Sequence, residues 1–267
     1  MTLETHYLRV RPREGHDVHI ESSKLQISPR SDVKWHRDTL DNSVALVQFN
    51  EPSDKVSIFS EVIIRHYEEQ PFNFLIEPYA QNYPFFYEQE DLINLGPFFQ
   101  PIYPQDAEAI NQWLANWQLS GEPRGLMDLL ISLNQNIHQT FAYTVREEPG
   151  VQNPAKTLMD RRGSCRDYSA LFMEACRQLG IASRFVSGYL HAPTTEVGGA
   201  ATHAWAEVYI PGAGWKGFDP TIGEVTGSKH IAVAVARHPE SVPPVAGSYI
   251  GNGGAIMTVS VQVSRLV

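Results

Sequence analysis

With 267 residues, 42% of them hydrophobic and 19% charged, the chain has the composition of a soluble globular protein, long enough for two modest domains or one large one. Its net charge of −9 makes the summed electrostatics repulsive toward a nucleic acid and excludes that partner class. No stretch is apolar for long enough to span a bilayer, and Met1 to Tyr7 lacks the basic-then-apolar pattern of a secretory leader, so no membrane partner and a cytoplasmic location are expected.

From Thr2 to about Phe99 the pattern is one of short strands. Thr5 to Val10, Asp17 to Ser22, Lys24 to Ser28, Asp32 to Asp38, Ser43 to Phe49, Lys55 to Tyr67 and Asn73 to Glu77 are rich in β-branched and aromatic residues, with Pro12, Pro29, Asp41-Asn42 and Pro52-Ser-Asp between them. The spacing predicts an antiparallel sandwich or barrel over residues 1–100. His6, His16, His19, His36 and His66 fall in this half without the clustering that a metal site requires, so no metal is expected.

Between Tyr79 and Tyr103 prolines and aromatics are dense, and the reading is an irregular crossing whose rings pack into a domain interface, since proline is excluded from helix interiors. Two helices follow. One begins near Pro104, with Asp106 and Glu108 in its first turn, and runs through Ile110, Trp113, Leu114 and Trp117. The other opens around Pro123 and carries Leu126, Leu129, Leu130, Leu133 and Ile137 at helical spacing. A turn at Glu147-Glu-Pro-Gly150 then leads toward Pro154-Ala-Lys-Thr-Leu158.

The segment from Arg161 to Leu190 carries the chemistry. A glycine-containing turn delivers Cys165 to the start of a helix whose buried face is Tyr168, Leu171, Phe172, Ala175, Cys176 and Leu179, stopped by Gly180. Unpaired backbone N–H groups and the positive helix end favour thiolate over thiol, and Arg161, Arg162 and Arg166 add positive charge. The alternative is that Cys165 is an ordinary small buried residue. Cys176 lies eleven residues further along, roughly 16 Å at about 1.5 Å per residue, too far for a disulfide, and reads as core filling.

Downstream, His203 to Asp219 is a hairpin around Pro211-Gly-Ala-Gly214, with His203 entering the first strand and Asp219 near the end of the second. A two-residue loop at Gly212 and Ala213 places Asp219 nearer Ala206 than His203, so their meeting requires a longer loop or a bulge. Trp205 and Tyr209 share the strand parity of His203 and are expected to shape a substrate cleft, with Glu207 on the same side. The loop from Thr194 to Thr202, with its Gly198-Gly199 pair, is expected to be mobile. His230 to Arg237 reads as a buried strand, and Ile256 to Val263 alternates as a closing strand.

Three strings in this order, Gly163-Ser-Cys-Arg-Asp167, His203-Ala-Trp-Ala-Glu-Val208 and Phe218-Asp-Pro-Thr221, resemble the core motifs of the bacterial transglutaminase-like superfamily. That group is built on a papain-like fold with a Cys-His-Asp triad and typically carries an N-terminal β domain. The resemblance implies an α+β chain: a helical lobe and an antiparallel sheet over 101–267, preceded by the β domain of 1–100. It also implies Cys165 as nucleophile, His203 as general base and acid, and Asp219 as the group that orients His203. One departure is that the family's Gly-Arg-Asp-Tyr is replaced here by Ala236-Arg237-His238-Pro239, which leaves His230 and His238 as weak candidates for lining the cleft.

The chemistry of the residues agrees. A cysteine attacking an amide carbonyl needs an imidazole to take its proton and later deliver it to the leaving amine, and a carboxylate on the far ring nitrogen fixes the tautomer. Asp167, two positions after Cys165, points away from the thiol on a helix; a cap, an arginine partner and a substrate contact are its three readings. His191 is the rival base, without a carboxylate in triad order. Gln152, the nearest upstream glutamine, is too far along the chain to be read as an oxyanion donor, which leaves the backbone N–H of Cys165. The expected function is an amide or peptide-bond hydrolase or acyl transferase that needs no cofactor, acts on a peptide or protein, and has no large calcium-ligand loop. The alternative is a non-catalytic peptide- or protein-binding module on the same fold. The sequence sets no oligomeric state.

Overall fold

A computed structural model of the chain describes residues 1–67, 70–116, 124–146, 148, 150–193 and 202–266. Trp117, Pro123, Glu147, Pro149 and the Gly198-Gly199 pair, all invoked above, lie outside the described residues.

Five helices, α1 (Gln89–Phe99), α2 (Ala107–Asn116), α3 (Leu126–Thr140), α4 (Pro154–Asp160) and α5 (Cys165–Gln178), stand before the main sheet in the chain. The apolar spacing read in the sequence is the buried one: Ile110, Trp113 and Leu114 of α2, Leu129, Leu130, Leu133 and Ile137 of α3, and Leu171, Phe172, Ala175 and Cys176 of α5 share one core. The sheet is wholly antiparallel, in the spatial order Glu224–Val225, Gly214–Asp219, His203–Ile210, Ser183–Leu190, His230–Ala236. Ala204, Ala206, Val208 and Ile210 project from the strand His203–Ile210 toward the helical core. Two of the four are alanines, which lets α5 approach the sheet closely. The alternate residue Trp205 packs on the opposite face with Val186 and Val235. A sheet covered on both faces isolates anything buried in it from water.

The N-terminal part is two-layered. Ser31–Arg37, Ser43–Phe49 and His6–Leu8 form an antiparallel sheet, and the long ribbon of Val18–Ser28 with Ser57–His66 folds over it through Leu25, Ile27 and Ile58. The two strands expected between Asp17 and Ser28 are one strand with a register shift between Ile20 and Ser22. Val245–Ala246 completes the four-stranded sheet beside His6–Leu8, and Tyr249–Ile250 pairs with Thr2–Leu3. The C-terminal residues therefore return to the N-terminal layer rather than remaining with the helices and main sheet as a 101–267 unit would have them.

Three expectations give way. Asn73 to Glu77 is not a strand, and Ile256 to Val263 holds only an isolated bridge, with Ile256 97% exposed. The aromatic crossing contains helix α1, which holds Pro97 in its last turn. A proline so near the end removes one hydrogen bond and stops the helix two residues later, so Glu90 and Asp91 in the first turn and Leu95 and Phe98 on the inner face prevail. The expected packing role of the rings holds: Tyr87, Phe98 and Phe99 cluster with Tyr209 and Trp215.

Two buried polar clamps join the parts. Glu174 and Arg177 of α5, fully buried and 2.7 Å apart, accept from the N–H groups of Ile102 and Tyr103 and donate to the carbonyls of Phe98, Ser183 and Arg237. Asn42, buried in the N-terminal part, takes the place of a neighbouring strand against the sheet edge His230–Ala236: its Nδ2 donates to the Val235 carbonyl and its Oδ1 accepts from the Val235 N–H, each at 2.8 Å. Arg13 donates to the same Oδ1 through its guanidinium and to the Ala232 carbonyl through its backbone. Replacing Asn42 by Ala strands both Val235 groups, so Asn42→Ala should lower the unfolding free energy by about 2–4 kcal/mol in urea titrations. A loss below about 0.5 kcal/mol, the scale of an ordinary surface change, would contradict this docking role.

Candidate active site

The turn before α5 is fixed by a single carboxylate. Asp167, fully buried, accepts through Oδ2 from the Ser164 backbone N–H and hydroxyl, each at 2.8 Å. Through Oδ1 it accepts from the Gln152 N–H and an Arg146 guanidinium nitrogen, each at 2.7 Å. Four donors on one buried carboxylate hold the Gly163-Ser164-Cys165 turn in place. Gly163 has to be glycine, since a Cβ there would stand 2.8 Å from the Asp167 Cβ. Beside the turn, Ala142–Tyr143 runs parallel to Arg162–Gly163, and Thr144 donates to the Gly163 carbonyl. Cys165, 8% exposed, opens α5 as the spacing predicted.

The hairpin meets it from the sheet. Three residues, Pro211 to Ala213, connect the strands, and the register pairs Ile210 with Gly214 and Ala206 with Phe218. One step further aligns Asp219 with Trp205, so His203 is its diagonal neighbour on the same face. The longer loop suffices, with no bulge between these two strands. His203 Nε2 lies 2.6 Å from Asp219 Oδ2, and the Cys165 side chain stands close enough to the same imidazole to act on its charge. Burial works against a charged His203, but the hydrogen bond to Asp219 and the nearby Cys165 outweigh it and raise its pKa to about 10. Burial likewise opposes charge on Asp219, yet hydrogen bonds from His203 and His230 hold its carboxyl well below the usual range. Its other oxygen accepts the Thr221 N–H at 2.9 Å.

The expected nucleophile, base and orienting carboxylate are thus brought together by α5 and two strands. In comparison with known proteins, residues 106–220 match the transglutaminase-like superfamily, and residues 1–65 match the bacterial transglutaminase-like N-terminal region. Over residues 106–220 the chain carries a transglutaminase-like core. An uncharacterized protein of Mycobacterium tuberculosis is 27% identical over 271 aligned residues, spanning 94% of this chain and 84% of that one. One from Mycobacterium leprae is 36% identical over 109 residues, 39% of this chain and 38% of its own. The crystal structure of a putative cysteine protease from Cytophaga hutchinsonii covers 100% of this chain and 88% of its own at TM-score 0.68 and 19% identity, a likeness of fold.

The structure gives each residue expected at the substrate a definite place. Asp167 has both oxygens occupied inside the turn, which leaves the cap and arginine-partner readings in place of substrate contact. Trp205, 2% exposed, packs edge-on against His230 and borders a cavity with it. Tyr209 stands six residues along the strand from His203, about 20 Å at roughly 3.3 Å per residue, among Tyr87 and Trp215. The imidazole that reaches Asp219 and Cys165 is that of His203, not His191. Gln152 spends its side-chain amide on Thr157 and the Arg162 carbonyl, and His238 caps a short 3-10 turn. Among the described residues no cluster of three His, Cys, Asp or Glu is placed to hold a metal ion, and no helix is long and apolar enough to cross a membrane.

Sequence reasoning passed over Tyr143. Burial raises its phenol, and the nearby charges of Cys165 and Asp219 push the same way, which places the half-exposed ring at the site; the pairing of its strand with Arg162–Gly163 left no periodic signal to find it by.

The pH dependence of stability follows from the two shifts. The raised His203 contributes stability that is complete below its ordinary value of 6.5 and is lost as pH climbs through about 10. The depressed Asp219 contributes stability that is present above its ordinary value of 3.8 and is lost as pH falls below it. The Tm advantage of the parent over His203→Gln should therefore be greatest at about pH 5–6 and shrink steadily toward pH 10. A pH-independent difference would show that the charged imidazole contributes nothing.

Proposed function

We propose that this chain is a cysteine-dependent enzyme acting on amide or peptide bonds of a peptide or protein through a thioester acyl-enzyme. The observation that carries the reading is one imidazole, His203, bonded to a buried carboxylate and standing beside a cysteine at a helix N-terminus.

In this reading His203 takes the Cys165 proton and the thiolate attacks the carbonyl carbon. The oxyanion faces the backbone N–H of Cys165, the first residue of α5. Collapse breaks the C–N bond as the imidazolium of His203 gives its proton to the departing amine. Water then attacks the thioester with His203 as base, releasing acid and thiol. An amine in place of water makes the same site a transglutaminase-type transferase; hydrolysis is favoured because no acceptor-amine site is discernible among the described residues. Tyr143 and Val145, 53% and 74% exposed beside the nucleophile turn, are the surface on which the substrate chain would lie.

The test is alkylation by iodoacetamide across pH in the parent, Cys165→Ala, Cys176→Ala and His203→Ala. In the parent, one thiol should be alkylated at about pH 6.5 and the other should not. Cys165→Ala should abolish that reaction and Cys176→Ala leave it intact, because burial pushes the Cys176 thiol far up. His203→Ala should slow it at least about tenfold at that pH. Alkylation of ordinary pH dependence, indifferent to His203, would replace the enzyme with a binding module on the same fold.

A further inference from the structure

Asp219 holds a second imidazole. His230 opens the strand His230–Ala236, is 5% exposed, and places Nε2 at 3.1 Å from the same Oδ2 that His203 reaches. Its other ring nitrogen, Nδ1, accepts the Gly227 N–H at 3.3 Å, while its own backbone N–H donates to the Gly227 carbonyl at 2.8 Å. An imidazole whose Nδ1 accepts carries its proton on Nε2, so the ring is set as a donor toward Asp219. Trp205 meets it edge-on with centroids 5.2 Å apart, and the indole in turn fills the space over Gly188, where a Cβ would stand 2.6 Å from it. Behind the His230 ring lies a cavity of about 330 Å3 bordered by Arg13, Glu14, Asp17, Arg184 and Glu207, charges of both signs from the N-terminal part and the sheet.

We propose that His230 is a positioning residue that acts through Asp219 on the His203–Cys165 pair. Thr221 holds Oδ1, and the two imidazoles meet at Oδ2. With His230 donating, the carboxylate keeps one orientation and His203 is presented to Cys165 in one tautomer. Without it, Oδ2 loses one of its two donors and the carboxylate gains freedom to rotate. His230 is not the base, because the imidazole beside the Cys165 side chain is that of His203. The inference rests on the enzyme reading above, but its first readout does not.

The experiment uses the full chain, its His230→Phe variant, which keeps a ring and removes the donor, and His230→Gln, which restores an N–H. Long-range 1H–15N spectra of the histidine rings should show His230 protonated on Nε2 in the parent, and His203 ring signals displaced in His230→Phe but near parental in His230→Gln. Alkylation of Cys165 at about pH 6.5 should fall by on the order of 10–100-fold in His230→Phe, the scale seen when groups that orient a ligating imidazole are removed, and recover in His230→Gln. A parent His230 protonated on Nδ1, or His203 signals unchanged by His230→Phe, or equal losses in both variants, overturns the proposal. A parent whose Cys165 shows no enhanced alkylation overturns the enzyme reading alone, since the ring spectra still report whether His230 governs His203.

Discussion

Burying a carboxylate costs several kcal/mol unless donors surround it, and Asp219 is buried with both oxygens occupied. Each of its three donors comes from a different piece of local structure: the first residue of one hairpin strand, the turn after the other, and the first residue of the edge strand. The hairpin must have its three-residue connection, since a shift of one residue would turn Asp219 to the face covered by α5. The edge strand must sit beside Ser183–Leu190 to bring His230 within reach. Sheet order, register and site geometry are thereby one constraint.

The rest of the chain keeps that constraint satisfied. The strand bearing His230 lies at the sheet edge, where unpaired backbone groups invite water or foreign strands. Asn42 and Arg13 close it from the N-terminal part. On the helical side, the Glu174–Arg177 pair binds the crossing between α1 and α2 to α5, so the helix bearing Cys165 is held at its far end by charge-assisted bonds and at its near end by Asp167. A thiol and an imidazole carried on separate layers stay in register only when both layers are clamped this way.

Helical periodicity made α2, α3 and α5 legible, and the motif strings made Cys165, His203 and Asp219 legible, because each depends on residues close in sequence. The partners of Asp167 and His230 were not. Gln152 and Arg146 reach Asp167 across 15 and 21 residues, and no local pattern marks a carboxylate as buried. Trp205 and Tyr209 were grouped with His203 by strand parity, which is correct as to face but silent on what covers that face and on the length between them. Proline weighed too heavily at Pro97, where nearness to the helix end made it tolerable, and alternation weighed too heavily at Ile256 to Val263, which found no strand to pair with.

The two cysteines stand in opposite surroundings. They occupy one helix, share its dipole and differ by about three turns, yet burial among apolar side chains drives the Cys176 thiol strongly upward while Cys165 meets an imidazole and a helix N-terminus. Sequence context alone favours neither: Arg166 follows one and Arg177 the other. The Arg177 charge is consumed by Glu174 and three carbonyls, and at Cys176 its opposing effect on the thiol is outweighed by desolvation. A basic neighbour therefore does not activate a thiol in a dry core. What sets Cys165 apart is its place at the end of the helix, where a second layer of structure delivers an imidazole whose charge is itself stabilised by a carboxylate with two further donors.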